Sequence, residues 1–186
     1  MRMPTAREMF DFSIKDAEDL LGHFVAQPTP KPKNAEVLKR AGLVMALTAW
    51  ETFVEDRVLE EVERNSQVVK GSHAGNFMLK KLREELKRLH NPDAAKTKKL
   101  FLDYVGIDVT TKWEWPGYEP KTAKKKLNDL LGVRGDIVHR SKEPDAGGPP
   151  KAHQVKREDL EKAIKFLKGL IEATDKALRA AAEQGS

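Results

Sequence analysis

The chain has 186 residues, of which 39% are hydrophobic and 34% charged, a composition typical of one soluble globular domain with a real core. It contains no cysteine, which excludes disulfides and thiolate metal sites, and no run approaches the roughly 18 apolar residues that a membrane span needs. The net charge of +5 favours anionic partners, although ordinary solubilising charge explains it equally well.

Helical periodicity governs the first part of the chain. Thr5 and Glu8 form a capping-box pattern, and apolar residues then recur at helical spacing, which predicts a first helix to about Ala26. The segment 27–33 contains three prolines and is expected to be a loop. Asn34 is the expected N-cap of a long second helix.

The next segments alternate between helix and irregular structure. A break is expected at residues 72–76, followed by a third helix, basic on its outer face, over Phe77–Leu89. Asn91 and Pro92 carry the signal of an N-cap and a first helical residue, and they predict a short fourth helix. The segment 105–120 loses the helical period and is expected to be an irregular, partly apolar insertion.

Helical periodicity returns at Thr122 and continues into the segment that ends near Arg140. The segment 141–152 is rich in glycine and proline and is expected to be a loop. A closing helix then carries an apolar stripe over Leu160–Leu178. No strand or repeat is evident, so residues 1–186 are predicted to form a single all-α domain, a helical bundle of five to six helices.

The most specific chemical feature is a late segment in which four residues separate Arg134 from His139. An arginine can hold the oxygens of a phosphate while a histidine moves the proton of an attacking 2′-hydroxyl, and these groups suffice to cleave RNA without a metal. The alternative is a surface arginine and a histidine whose hydrogen bonds are satisfied by Asp136 or by a backbone carbonyl.

The spacing of Arg134 and His139 sets a geometric condition. Positions five apart diverge by about 140° around a straight helix, so one regular helix does not aim both side chains at the same point. Three solutions are open: the arginine reaches around the helix, the helix is irregular near Gly132 and Gly135, or a second subunit contributes.

The other histidines offer little. Arg83 and His90 also match the loose pattern, with six residues between them, but they are expected to be neighbours on a basic surface. His23, His73 and His153 have no nearby acidic, histidine or cysteine residue at metal-ligand spacing, so no metal site is expected.

The motif resembles the HEPN superfamily of all-helical domains, whose hallmark is an Arg-x4–6-His motif on a late helix, and it looks most similar to the RiboL-PSP-HEPN type. AGLVMALTAWETFVED is similar to the family's early helix, in which small residues lead into an aromatic residue and a glutamate. LNDLLGVRGDIVHR is similar to the leucine-rich approach to the motif. The element order, with an irregular insertion before the motif helix, fits a HEPN-like bundle.

This resemblance implies a metal-independent endoribonuclease that needs no cofactor. Arg134 would bind the scissile phosphate, and His139 would act as general base or acid, leaving a 2′,3′-cyclic phosphate. In the familiar pattern a polar residue follows the arginine; here Gly135 stands there, and Asp136 comes next. Asp136 is therefore expected to support His139 from three residues away.

The resemblance also implies partners. They are RNA, expected to be single-stranded, a second copy of the chain in a homodimer, and an antitoxin or nucleotidyltransferase; no membrane is expected. Many relatives are toxins or antiviral defence effectors, whereas others are non-catalytic RNA-binding or protein-interaction scaffold modules. The absence of cysteine and of a basic-then-apolar N-terminal segment predicts a cytoplasmic protein.

Several residues around the motif are candidates for supporting roles. Glu51 lies in the early matching segment and is expected either to hold Arg134 by a carboxylate contact or to be a solvated surface residue. Basic residues that flank the motif are candidates for contacts with RNA phosphates, with an ordinary solvated face as the alternative: Lys124, Lys125, Lys126 and Arg140.

Aromatic residues fall into two groups. Trp50 and Phe53 are expected in the core. Trp113, Trp115 and Tyr118 are expected to anchor the insertion to the bundle as a hydrophobic lid, and the alternative is that they stack on unpaired bases.

Overall fold

The computed structural model describes residues 3–139 and 154–184, apart from the side chains of Val68 and His139. Within these ranges the chain is built from α-helices joined by turns and short 3-10 segments, so the predicted all-α helical bundle is confirmed. No helix in the same ranges is both long enough and apolar enough to cross a bilayer. The loop expected at 141–152 and the candidate Arg140 lie outside the described residues.

The first helix begins where the sequence predicts. The Thr5 side chain accepts a hydrogen bond from the backbone N–H of Glu8, and the Glu8 carboxylate accepts one from the backbone N–H of Thr5. The described part of the chain contains six α-helices: α1 (Ala6–Ala26), α2 (Glu36–Asn65), α3 (His73–Leu86), α4 (Ala94–Val105), α5 (Pro120–His139) and α6 (Arg157–Gln184).

The predicted starts of α2 and α3 are wrong. Asn34 lies in a 3-10 turn, Lys33–Ala35, that leads directly into α2, and no side chain caps that helix. The break expected at 72–76 is instead the start of α3, because Ser72 is its N-cap and accepts a hydrogen bond from the backbone of Gly75 at 3.1 Å. Gly75 marks a close approach rather than a break, since a Cβ there would stand 2.4 Å from the Val69 carbonyl oxygen.

The long helix α2 is the centre of the bundle. It packs along α1, and it also contacts α3, α4, α5 and α6. Trp50 and Phe53 are fully buried on α2, as predicted, and their rings stack with centroids 6.0 Å apart. The rings of Trp113 and Trp50 pack in a T-shaped arrangement with centroids 6.1 Å apart, so the insertion contributes directly to the same core.

The insertion between α4 and α5 packs against α6. It contains a 3-10 turn, Val109–Lys112, and buries Trp113, whose indole N–H donates to the hydroxyl of Thr174 at 3.0 Å. Trp115 and Tyr118 stack on each other with centroids 4.9 Å apart and both contact Phe166 on α6. These contacts favour the hydrophobic lid over base stacking, because the rings already have partners in the fold.

Gly169 on α6 tests this docking. A Cβ at Gly169 would lie 2.5 Å from Nε1 of the Trp115 indole, so Gly169→Ala should displace the ring and cost about 1–3 kcal/mol of the free energy of unfolding. Urea denaturation monitored by tryptophan fluorescence measures this loss.

Gly132→Ala is the matched control, because a Cβ there meets no atom within 4 Å. It should raise the free energy of unfolding by about 0.5–1 kcal/mol, as expected for glycine-to-alanine changes in a helix. Equal effects of the two substitutions would show that Trp115 does not depend on the glycine.

Candidate functional site

Helix α2 presents polar side chains to the start of the motif region. Thr48, Glu51 and Glu55 are spaced three and four residues apart, so they share one face of the helix. All three are half-buried, although the opposite face of α2 at Trp50 and Phe53 is fully buried. The polar stripe therefore lies at the boundary between the core and solvent.

The turn between α3 and α4 lies beside this polar face of α2 and forms a second side of the site. Asp93 caps α4 by accepting from the backbone N–H of Lys96 at 2.8 Å, so the predicted Asn91 N-cap is wrong. Asn91 instead adopts a left-handed backbone with φ of 50°, a conformation that asparagine tolerates better than most residues. The indole N–H of Trp50 donates to the Pro92 carbonyl oxygen at 2.9 Å and fixes the turn against α2.

Arg134 on α5 contacts both α2 and the α3–α4 turn. Its Nη1 donates to Glu51 Oε2 at 2.6 Å and to the Asn91 side-chain oxygen, and its Nη2 lies 3.4 Å from the Thr48 hydroxyl. The structure thus brings Glu51 and Arg134 together, through one nitrogen rather than the two of a bidentate pair. A single guanidinium joins α2, the α3–α4 turn and α5.

The burial of this pair strengthens it. The side chains of Arg134 and Glu51 are 18% and 15% exposed, so water screens their attraction less than it screens a surface pair. An arginine has five N–H donors, and the contacts among described residues do not use Nε. The guanidinium is therefore held in place with donor capacity left over.

His90 lies on the other side of the Glu51 carboxylate. Its Nδ1 is 3.8 Å from Glu51 Oε1, and its side chain is 78% exposed. Arg83 lies elsewhere, because its guanidinium pairs with the carboxylate of Glu63 at 3.2 Å. Glu63 is roughly 18 Å from Glu51 along the axis of α2. The Arg83–His90 match is therefore not one site, but His90 lies near the Glu51 carboxylate that holds Arg134.

Helix α5 is regular through the whole motif. It continues as α-helix past Gly132 and Gly135 to His139, so the irregular helix considered from the sequence is wrong. Positions 134 and 139 therefore differ by about 140° around the axis and by roughly 7.5 Å along it. The His139 side chain lies outside the described residues.

The remaining candidates stand at varying distances from Arg134. Asp136 is half-buried on α5, and its relation to the imidazole of His139 lies outside the described contacts. Lys124, Lys125 and Lys126 lie on α5 roughly 12–15 Å before Arg134 along the axis. Lys125 is on the opposite face and pairs with Asp129 at 3.7 Å.

Gly135 leaves open space next to Arg134. A Cβ built at Gly135 meets no atom within 4 Å, so the first atom of a side chain would fit there without a clash. The glycine is therefore not required by packing.

The carboxyl group of Glu55, also on α2, has a raised pKa. Burial, together with the charges of Glu51 and Asp56, raises the pKa of Glu55 to about 7. Burial also raises the pKa of the neighbouring Asp56. Within residues 3–139 and 154–184, no group of three or more histidine or acidic side chains is arranged to hold a metal ion.

A six-helix bundle with a tethered arginine on its fifth described helix has the architecture of a HEPN-type domain. The family model RiboL-PSP-HEPN matches residues 10–180, so the chain belongs to that family. Neither a curated protein nor a solved structure matches it. Domains of this type often act on or bind RNA, and they often dimerise.

Sequence reasoning missed three contributors to the site: Thr48, His90 and Asn91. The Asn91–Pro92 pair resembles a helix start, which concealed the side-chain contact of Asn91 with Arg134. His90 immediately precedes this pair, but its position in the sequence gave no signal of a contact with Glu51. Thr48 lies one helical turn before Glu51, which is the only sequence signal that it had.

Loss of the Glu51 carboxylate should uncouple Arg134. We expect Glu51→Ala to lower the free energy of unfolding by about 1–3 kcal/mol, because it leaves a half-buried guanidinium without its charged partner. A double-mutant cycle with Arg134→Ala should give a coupling energy of about 1–2 kcal/mol. Strictly additive effects would contradict the pairing. Glu84→Ala, which removes an exposed pair with Lys81, is the control and should change stability by less than about 0.5 kcal/mol.

Glu55 should make stability fall as the pH rises. The folded protein holds the Glu55 proton up to a pKa of about 7, whereas the unfolded chain releases it near the ordinary value of 4.5. The stabilisation is therefore complete below pH 4.5 and is lost as the pH rises through 7. Chemical denaturation at pH 5, 6, 7 and 8 should show this slope, and Glu55→Gln should flatten it.

Glu84→Gln is the control for this titration. A hydrogen bond from Lys81 lowers the pKa of Glu84, so that carboxyl does not titrate between pH 5 and pH 8 and its replacement should leave the slope unchanged. An unchanged slope in Glu55→Gln would show that Glu55 is ionised throughout this range in the folded protein.

Proposed function

We propose that this protein is a metal-independent endoribonuclease, in which Arg134 binds the scissile phosphate of single-stranded RNA and His139 transfers a proton. Membership of the RiboL-PSP-HEPN family supports an RNA-directed function. The observation that carries the proposal is the guanidinium of Arg134, which is fixed by contacts to Glu51, Asn91 and Thr48, while its Nε donates to none of the described residues.

A fixed arginine suits phosphoryl transfer. In RNA cleavage the 2′-oxygen attacks phosphorus, and negative charge accumulates on the non-bridging oxygens before the P–O5′ bond breaks. A positioned guanidinium stabilises that charge without having to reorganise. His139, as general base, would accept the 2′-hydroxyl proton, and the products would be a 2′,3′-cyclic phosphate and a 5′-hydroxyl.

The proposal includes a homodimer. Positions 134 and 139 are about 140° apart on a regular helix, so the two side chains of one α5 point in different directions. In the proposed dimer, a second copy of α5 would supply the histidine that meets the arginine of the first. Asp136, on the same helix, would orient the imidazole of His139. Glu51 would hold Arg134 during the reaction.

RNA would extend beyond the scissile phosphate along basic side chains. We propose phosphate contacts from the residues that flank the motif on α5 and just beyond it: Lys124, Lys125, Lys126 and Arg140. Lys125 would contribute least, since it is on the helix face opposite Arg134 and is paired with Asp129. No cofactor is part of this mechanism.

A second candidate function is a non-catalytic module that binds RNA or a protein partner. Two observations favour it: Arg134 is already engaged by an acidic residue and is 18% exposed, and Gly135 replaces the polar residue of the familiar pattern. In that case Arg134 would serve as a latch between helices, and RNA would bind without product formation.

We also propose a setting for the nuclease. The cysteine-free composition suits a reducing cytoplasm, and a toxin or antiviral defence role would require control by a neutralising partner such as an antitoxin or a nucleotidyltransferase. A partner that covered Arg134 would be sufficient to block the phosphate site.

The decisive assay uses purified protein and labelled single-stranded RNA in the presence of EDTA. We expect cleavage that leaves 2′,3′-cyclic phosphate ends. Arg134→Ala and His139→Ala should each reduce the rate by about 100-fold or more, the usual contribution of such groups. RNA with 2′-deoxy sugars throughout should resist cleavage, because it lacks the nucleophile.

Two control substitutions remove an arginine and a histidine that lie outside the proposed site. Arg83→Ala removes an exposed arginine paired with Glu63, and His23→Ala removes an exposed histidine near the end of α1; both should keep the wild-type rate. Cleavage that needs a divalent metal, or that persists in His139→Ala, would reject the proposed mechanism. RNA binding without any product would favour the second candidate.

A further inference from the structure

We infer that His90 is a further catalytic residue of the Arg134 site, the general acid that protonates the departing 5′-oxygen. This inference rests on the proposed ribonuclease function and adds a residue outside the Arg134–His139 motif. It starts from the carboxylate of Glu51, which lies between the two groups: Oε2 accepts from Arg134 Nη1 at 2.6 Å, and Oε1 is 3.8 Å from His90 Nδ1.

The backbone around His90 is held firmly. The ammonium group of Lys96 donates to the His90 carbonyl oxygen at 2.6 Å and lies 3.4 Å from that of Asn91. The Pro92 carbonyl oxygen accepts from the buried Trp50 indole. A histidine on a turn fixed at three successive carbonyl groups keeps its position relative to α2, and therefore relative to Arg134.

The imidazole itself is open to substrate. Its side chain is 78% exposed, whereas the carboxylate that it faces is 15% exposed. Because Nδ1 faces Glu51, Nε2 points away from that carboxylate and toward solvent. Under this inference, Nε2 is the nitrogen that reaches the bridging oxygen of a phosphodiester whose non-bridging oxygens Arg134 holds. At 3.8 Å the Glu51 carboxylate is beyond hydrogen-bond distance of Nδ1, so it attracts the ring by charge when His90 is protonated rather than fixing it by a hydrogen bond.

The chemistry requires such a group. Cleavage takes a proton from the 2′-hydroxyl and gives a proton to O5′ as the P–O5′ bond breaks, so two proton transfers occur at different oxygens. Arg134 cannot supply the second proton, because an arginine does not release one in proteins. His139 would accept the first proton, and protonated His90 would donate the second, giving a 5′-hydroxyl and a neutral imidazole.

Single turnover of two matched substrates tests this role. Each is an oligonucleotide with one ribonucleotide at the cleavage point, and they differ only in the bridging atom, 5′-oxygen or 5′-sulfur. A thiolate leaves without being protonated, so loss of a general acid affects the oxygen substrate alone. His90→Ala should slow cleavage of the oxygen linkage by about 100-fold or more and leave cleavage of the sulfur linkage near the wild-type rate.

The other variants separate the possible failures. His139→Ala should slow both substrates, because the general base is needed for either leaving group, and His73→Ala, an exposed histidine at the start of α3, should slow neither. Wild-type rates on the oxygen linkage in His90→Ala, or equal losses on both linkages, would overturn the inference while the ribonuclease stands. A wild-type protein that cleaves neither these substrates nor single-stranded RNA would overturn both.

Discussion

The guanidinium of Arg134 is the charge at which three separate parts of the chain meet. Helix α5 carries it, α2 contributes Glu51 and Thr48, and the α3–α4 turn contributes Asn91. A half-buried cation is tolerated only if its donors find acceptors, so these contacts constrain the relative positions of the three elements. The same constraint holds a positive group at the edge of the core, and its Nε donates to no residue in the described part of the chain.

The core behind this site explains why the arginine can be held so closely. Trp50 is adjacent to Glu51, is fully buried against Trp113, and donates to the Pro92 carbonyl oxygen. Hydrophobic burial therefore positions the same turn that carries the polar contacts. The insertion between α4 and α5 therefore supports the site through Trp113, which packs against Trp50.

Much of this arrangement follows from patterns in the sequence, but its contacts do not. Helical spacing and the Thr5–Glu8 capping box predict α1 correctly, and the helical recurrence of apolar residues predicts that Trp50 lies in the core. The role of Asn91 was not predictable, because Asn-Pro is the same local signal whether the asparagine caps a helix or turns toward a distant arginine. His90 joins the site only through tertiary contact, since no short-range spacing links it with Arg134.

Arginine side-chain NMR measures both whether Arg134 is held rigidly and whether it is available to a phosphate. In protein labelled with ¹⁵N-arginine, a fixed guanidinium should show separate Nη resonances, and its Nε–H resonance should shift when a 2′-deoxy oligonucleotide is added. A single averaged Nη resonance, or an Nε–H resonance that RNA and its deoxy analogue leave unmoved, would contradict the account.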